Sequence, residues 1–150
     1  MNEPLGRGYD CGLTAAAAVL AMLDRNPDEK LSDMRKALPI AHTSLTMSPH
    51  CADEAKYGVV DQVVAEYQAL AAGGGRICGR SIAEVITVNG VRVALDDGSW
   101  VLVRASSNKP EIVVVVESTQ SADDMRRLFH EEVKPRLGRR AEVGAYNQEI

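Results

Sequence analysis

Asn89-Gly90 stands between two runs rich in β-branched residues, Val85-Ile86-Thr87-Val88 and Val91-Arg92-Val93-Ala94-Leu95. That dipeptide adopts the positive φ angles of a tight hairpin at little cost, so the two runs are expected to pair antiparallel. Asp97-Gly98 marks a second turn, residues 100–105 (WVLVRA) a third strand and residues 112–117 (IVVVVE) a fourth. Four consecutive valines imply burial on both faces and a central place in the sheet. Upstream, residues 41–48 (AHTSLTMS) alternate and read as another strand. Residues 53–72 form an amphipathic helix whose apolar stripe holds Tyr57, Val60, Val63, Val64, Tyr67, Leu70 and Ala71, stopped by Gly73-Gly74-Gly75. Ser121 and Asp124 make a capping box for a last helix with Met125, Leu128, Phe129 and Val133 on one side, which Pro135 should bend or end. Hairpin-linked strands flanked by two amphipathic helices give an α+β fold, a two-layer antiparallel sheet with both helices on one face.

The opening of the chain is different. Asp10 is positioned to cap a helix over residues 11–24, and a shorter one is expected over 31–37, before Pro39. Two helices with no sheet cannot bury both their faces, so residues 1–40 read as a helical remnant of another domain, and 41–138 as the complete one. Residues 139–150 have few apolar positions and no periodicity, and are expected to be a disordered tail.

Charge narrows the partners. The formal net charge is -4, which argues against nucleic acid and against a membrane surface as general partners. No apolar stretch is long enough to span a bilayer, and no basic-then-apolar leader precedes residue 11. Cys11, Cys51 and Cys78 are odd in number and widely spaced, which suits reduced thiols in the cytoplasm better than a disulfide framework or a zinc site. His42, His50 and His130 lie on separate elements without metal-ligand spacing. The Asp96-Asp97 pair suits turn chemistry, and Gly73-Gly74-Gly75-Arg76 follows a helix where a phosphate-cradling loop would precede one.

One segment can carry anion chemistry. A strand delivers Arg104 to the mouth of a loop made of Ser106, Ser107, Asn108 and Lys109, and Pro110 stiffens the exit. An Arg fork can give two parallel hydrogen bonds to phosphate oxygens, small polar residues leave room for backbone N–H groups, and Lys109 adds a second positive charge. From residue types alone, a plain polar hairpin loop with a solvated Arg is the commoner outcome.

The segment and its flanks resemble the phosphohexomutases of the phosphomannomutase/phosphoglucomutase type. Arg104-Ala105-Ser106-Ser107-Asn108-Lys109-Pro110 is similar to that family's R-A-S-N-T-x-P loop. Asn89-Gly90-Val91-Arg92-Val93 resembles its D-G-V-R-V, residues 100–104 its G-W-x-L-V-R, and Gly8-Tyr9-Asp10-Cys11-Gly12-Leu13 its G-Y/F-D-D-G-I/L near the end of the third domain. The resemblance implies the family's TATA-box-binding-protein-like fourth domain, preceded by the end of the third. It implies that Arg104 is the main ligand of the substrate phosphate, helped by Ser106, Ser107, Asn108 and Lys109. Ser107 and Asn108 stand where the family has Asn or Gly and then Thr, and Lys109 where Glu is frequent; Cys11 replaces an Asp.

The family's phosphoserine segment T-A-S-H-N, its Mg²⁺ loop D-G-D-x-D-R and its sugar-reading G-E-x-S-G-H do not occur here. The resemblance therefore places Mg²⁺ and hexose 1,6-bisphosphate in a full-length parent, with neither held by these residues. The chain alone is expected to lack mutase activity. Its partners would be a phosphosugar and the upstream domains of the same chain. A reading from another class is a non-catalytic protein- or RNA-binding module on a similar fold, which calls for a cationic or aromatic sheet face.

Overall fold

A computed structural model describes residues 11–150, so Asp10 and residues 8–10 of the helix-opening motif lie outside the described residues. The chain divides into two compact units, Met1–Pro39 and Ile40–Ile150. In the first, α1 (Gly12–Arg25) and α2 (Leu31–Lys36) bury no residue, and Leu13 and Leu20 are 84% and 67% exposed. Ala-rich helices of this length lack the side-chain bulk to make a core by themselves.

The second unit holds a six-stranded sheet of β1 (His42–Thr43), β2 (Arg76–Ile77), β3 (Arg80–Ile86), β4 (Val91–Leu95), β5 (Trp100–Ala105) and β6 (Ile112–Ser118). Their order is β1-β6-β5-β4-β3-β2, with every neighbouring pair antiparallel. From β2 to β6 the chain is a meander, as the hairpin signals require. β6 lies inside the sheet, but beside the short β1 and not at its middle. The β3–β4 connection takes residues 87–90, leaving Val88 91% exposed instead of extending β3.

α3 (Asp53–Ala72) and a C-terminal helical run cover one face. That run is α4 (Ala122–Arg127), a π-helical turn (Leu128–Val133) and α5 (Lys134–Leu137). Pro135 cannot donate to the preceding turn, and the wider π-helical turn just before it lets the helix continue where a sharp bend was expected. Val59, Val63 and Tyr67 of α3, inward valines of β4, β5 and β6, and Leu128, Phe129 and Val133 make one core. Tyr57 does not join it: at 54% exposure it sits off the stripe that Tyr67 anchors. On the opposite face Arg92, Trp100, Leu102 and Arg104 alternate outward with partial exposure.

Residues 41–48 are not one regular strand. His42 and Thr43 pair with Ser118 and Glu117; the Ser44 N–H still donates to the Val116 carbonyl, and its hydroxyl accepts from the Val116 N–H. Leu45 and Thr46 then bulge, after which Met47 pairs with Val114 and His50 with Glu111. The extra residue shifts the register by one and throws Leu45 to 66% exposure.

Residues 139–150 are not a loose tail either. Gly144 and Ala145 exchange backbone bonds with His50, and Asn147 bonds Ser48 through both its N–H and its side-chain oxygen. The segment thereby adds to the free edge of residues 48–50. Val143, Tyr146 and Ile150 pack against the core, with the Tyr146 ring edge-on to Phe129 at 5.3 Å. Edge pairing needs no apolar period, which is why composition hid it. Tyr146→Ala is expected to lower the unfolding free energy by about 2 kcal/mol, the order of magnitude for one mostly buried aromatic with an aromatic contact. A urea transition unchanged by this substitution would mean that the segment does not dock.

Candidate functional site

Arg104 is the next-to-last residue of β5 and pairs across the sheet with Val113 of β6. It is half-buried, and one guanidinium N–H donates to the Ala105 carbonyl at 3.2 Å. Among the described residues neither Arg104 nor Lys109 has a carboxylate partner, whereas Arg80, Arg126, Arg127, Arg136 and Arg140 are all ion-paired. Arg104 lines a depression of about 260 Å³ together with Asn89, Gly90, Arg92 and Leu102.

Gly90 sets how close the β3–β4 turn comes to this arginine. Its φ is +97°, and a Cβ added there would fall on the Val103 carbonyl oxygen and lie 2.7 Å from the Arg104 Cα. The turn and the backbone of Arg104 are thus in direct contact, a closeness only a residue without Cβ permits. Asn-Gly was legible as a turn; its role as the seat of Arg104 was not.

The loop itself is compact. The Ser106 N–H donates to the Glu111 carbonyl at 3.0 Å, closing residues 106–111. Ser106 is 4% exposed, and its hydroxyl donates to Asn108 Oδ1 at 3.2 Å. Ser107, Asn108 and Lys109 are exposed. The five residues singled out from sequence are therefore contiguous at one rim of the sheet but not equivalent. Arg104 opens onto the sheet-side depression, Ser106 turns inward to shape the loop, and the other three face outward.

The exit is held from below. The Cys51 N–H donates to the Pro110 carbonyl at 2.9 Å, and the Glu111 N–H to the Lys109 carbonyl at 2.8 Å. The same Lys109 carbonyl accepts from the ammonium of Lys56 at 2.9 Å. Lys56 lies in the first turns of α3 and is 3% exposed; sequence reasoning missed it because nothing in residue spacing says that this lysine is buried. Burial pushes the neighbouring Cys51 thiol up, and the charge of Glu142 adds to that, opposed by Lys56. The described residues contain no group of three or more His, Cys, Asp or Glu that could hold a metal ion.

This geometry occupies the middle of a stretch, residues 50–134, that matches the model of the phosphoglucomutase/phosphomannomutase C-terminal domain. The chain belongs to the phosphoglucomutase/phosphomannomutase family. Its second unit contains that family's C-terminal domain, and the match takes in α3, strands β2 to β6, the Arg104 loop, α4 and the π-helical turn. The mutase relatives it resembles include the phosphopentomutase of Thermococcus kodakarensis, 34% identical over 100 residues, which are 67% of this chain and 20% of that protein. Another is described as "Probable phosphoglucosamine mutase" of Methanothermobacter thermautotrophicus, 29% identical over 124 residues, 82% of this chain and 24% of that protein. The chain thus spans about a fifth to a quarter of the length of the curated relatives it matches. Among the described residues no helix is long and apolar enough to cross a membrane.

Proposed function

We propose that the loop of residues 104–109 holds the phosphate of a phosphosugar, as the C-terminal part of a mutase that interconverts hexose 6-phosphate and hexose 1-phosphate. The observation that carries this reading is an arginine at the rim of the sheet that, like the lysine at the end of the closed polar loop it feeds, has no carboxylate partner among the described residues. An unneutralised guanidinium offers two parallel donors to a phosphate, and its cost of desolvation is lower than that of an ammonium. Exposed backbone at residues 107–109 can supplement it.

Such a mutase moves a phosphoryl group between two ends of one sugar, so the sugar must be gripped in two orientations through the phosphate that is not reacting. A site that reads the phosphate and little else meets that need. Arg104, Ser107, Asn108 and Lys109 bind and orient, and Ser106 holds the loop. The phosphoryl-accepting group, Mg²⁺ and the sugar-reading contacts belong to other parts of the parent chain, and a hexose 1,6-bisphosphate would span the two. A cytoplasmic setting, supported by three free cysteines, suits such a substrate.

The competing reading, a protein- or RNA-binding module, requires stacking surface on the open sheet face. Trp100 is the one aromatic that the described strands place there. Its indole N–H is committed to Glu117 at 2.8 Å, and Arg92 lies 4.8 Å from the centre of its ring.

Isolated from the remaining domains, the site is open to water and salt. A few charge-assisted hydrogen bonds, less the cost of association, leave a net of about 3–4 kcal/mol, a dissociation constant of about 1 mM or weaker. Calorimetric titration with mannose 6-phosphate should show that affinity, mannose should show none, and Arg104→Ala should remove the response while the circular dichroism of the sheet is kept. Equal binding by Arg104→Ala would place the phosphate elsewhere.

A further inference from the structure

We propose that Lys56 is a positioning residue for the phosphate loop, an inference that rests on residues 104–109 receiving phosphate. A lysine with 3% exposure has lost nearly all its water, and an ammonium in that state must be paired. Lys56 has two partners. Its Nζ donates to Asp53 Oδ1 at 2.6 Å, one turn earlier on α3, and to the Lys109 carbonyl at 2.9 Å in the neighbouring loop. It also lies 5.3 Å from the centre of the Tyr57 ring. The Asp53 side chain is 63% exposed and holds the ammonium from the solvent side, so the loop carbonyl is its partner on the buried side.

The consequence falls on the loop. Two successive carbonyls, those of Lys109 and Pro110, are drawn toward the start of α3, the first by Lys56 and the second by the Cys51 N–H. Their negative ends then point away from the outer side, where they would repel an approaching phosphate. Pro110 has no N–H to hold the loop from its other side, so these inward bonds and the Glu111 N–H fix the exit. The charge of Lys56 also sits beneath the loop in surroundings poor in water, where it contributes positive potential without contacting the ligand. A methionine would fill the same space at less desolvation cost but would leave the Lys109 carbonyl free to turn outward.

The test uses the whole 150-residue chain, inorganic phosphate as the probe, and the amide shifts of Ser107, Asn108 and Lys109 as the readout. Lys56→Met should weaken phosphate binding about tenfold, the scale expected when a binding group is displaced by a fraction of an ångström. Lys56→Gln keeps a donor without the charge and should fall between. It also serves if Lys56→Met does not fold, and urea transitions establish which variants remain native. Asp53→Asn breaks the ion pair but leaves the bond to the loop, and should bind phosphate as tightly as the parent chain or tighter. A folded Lys56→Gln or Lys56→Met with unaltered affinity would overturn the inference while leaving the phosphate loop standing. So would an Asp53→Asn variant that loses as much affinity as Lys56→Gln. If the three amides of the parent chain do not respond to phosphate at all, the phosphate-loop reading fails and this inference with it.

Discussion

Replacing Arg80 with methionine is expected to destabilise the domain by about 3–5 kcal/mol, the cost of leaving buried carboxylates without their counter-charge. Arg80 begins β3, and its guanidinium bonds Asp97 at 3.0 Å and Asp124 at 2.7 Å; the three side chains are 13%, 17% and 12% exposed. The β4–β5 turn and the first turn of α4 are joined through this one cation. Ser99 and Ser118 complete the network, donating to Asp97 and Asp124 at 3.0 and 2.7 Å. The pH dependence follows from the carboxylates. Burial pushes Asp97 up, but the Ser99 N–H, Arg80 and the Ser99 hydroxyl outweigh it and hold the carboxyl below its ordinary value of 3.8. At Asp124 burial is likewise outweighed, by Ser118, Arg80 and Arg127. A depressed folded pKa contributes stability that is present above the unfolded value and lost as pH falls through the folded one. The parent domain should therefore lose stability on acidification below about pH 4. In Arg80→Met burial meets less opposition and raises both groups relative to the parent, so the deficit should be largest at neutral pH and shrink as the carboxyls protonate. Urea unfolding at pH 7 and in the acid range measures both. A deficit under 1 kcal/mol, or one independent of pH, would contradict this account of the network.

Gly90→Ala is the second large effect, about 2–4 kcal/mol. A left-handed backbone costs a residue with Cβ about 1–2 kcal/mol, and the added carbon must also displace the backbone of Val103 and Arg104, which cannot move without disturbing the β4–β5 ladder. Because the displaced residue is Arg104, phosphate binding should weaken even at temperatures where the variant is fully folded. A loss of stability without any change in phosphate affinity would mean that the turn does not seat the arginine.

Legibility in the sequence followed the range of the interactions. The Asn89-Gly90 turn, the glycine stop after α3 and the Ser121 cap are local, and the cap appears with its hydroxyl accepting the Asp124 N–H at 3.0 Å. The reciprocal half of that capping box is missing because Asp124 is drawn to Arg80 and Ser118. Period alone could not tell Tyr57 from Tyr67, whose ring is covered by Arg136 at 4.3 Å from the far helix. The docking of residues 143–150 rests on edge pairing with residues 48–50, and the burial of Lys56 on a carbonyl more than fifty positions away. At the site, the order of residues from Arg104 to Pro110 was plain. The inward turn of Ser106 was not, because it depends on the bond from its backbone to Glu111 that closes the loop.

The most direct measurement is an amide-shift map of the chain titrated with inorganic phosphate. The first and largest shifts should fall at residues 104–109, with smaller ones at Asn89 and Gly90 beside Arg104, and all of them should vanish in Arg104→Ala. Largest shifts at Gly73, Gly74 and Arg76, or a map unchanged by Arg104→Ala, would contradict the assignment of phosphate to the Arg104 loop.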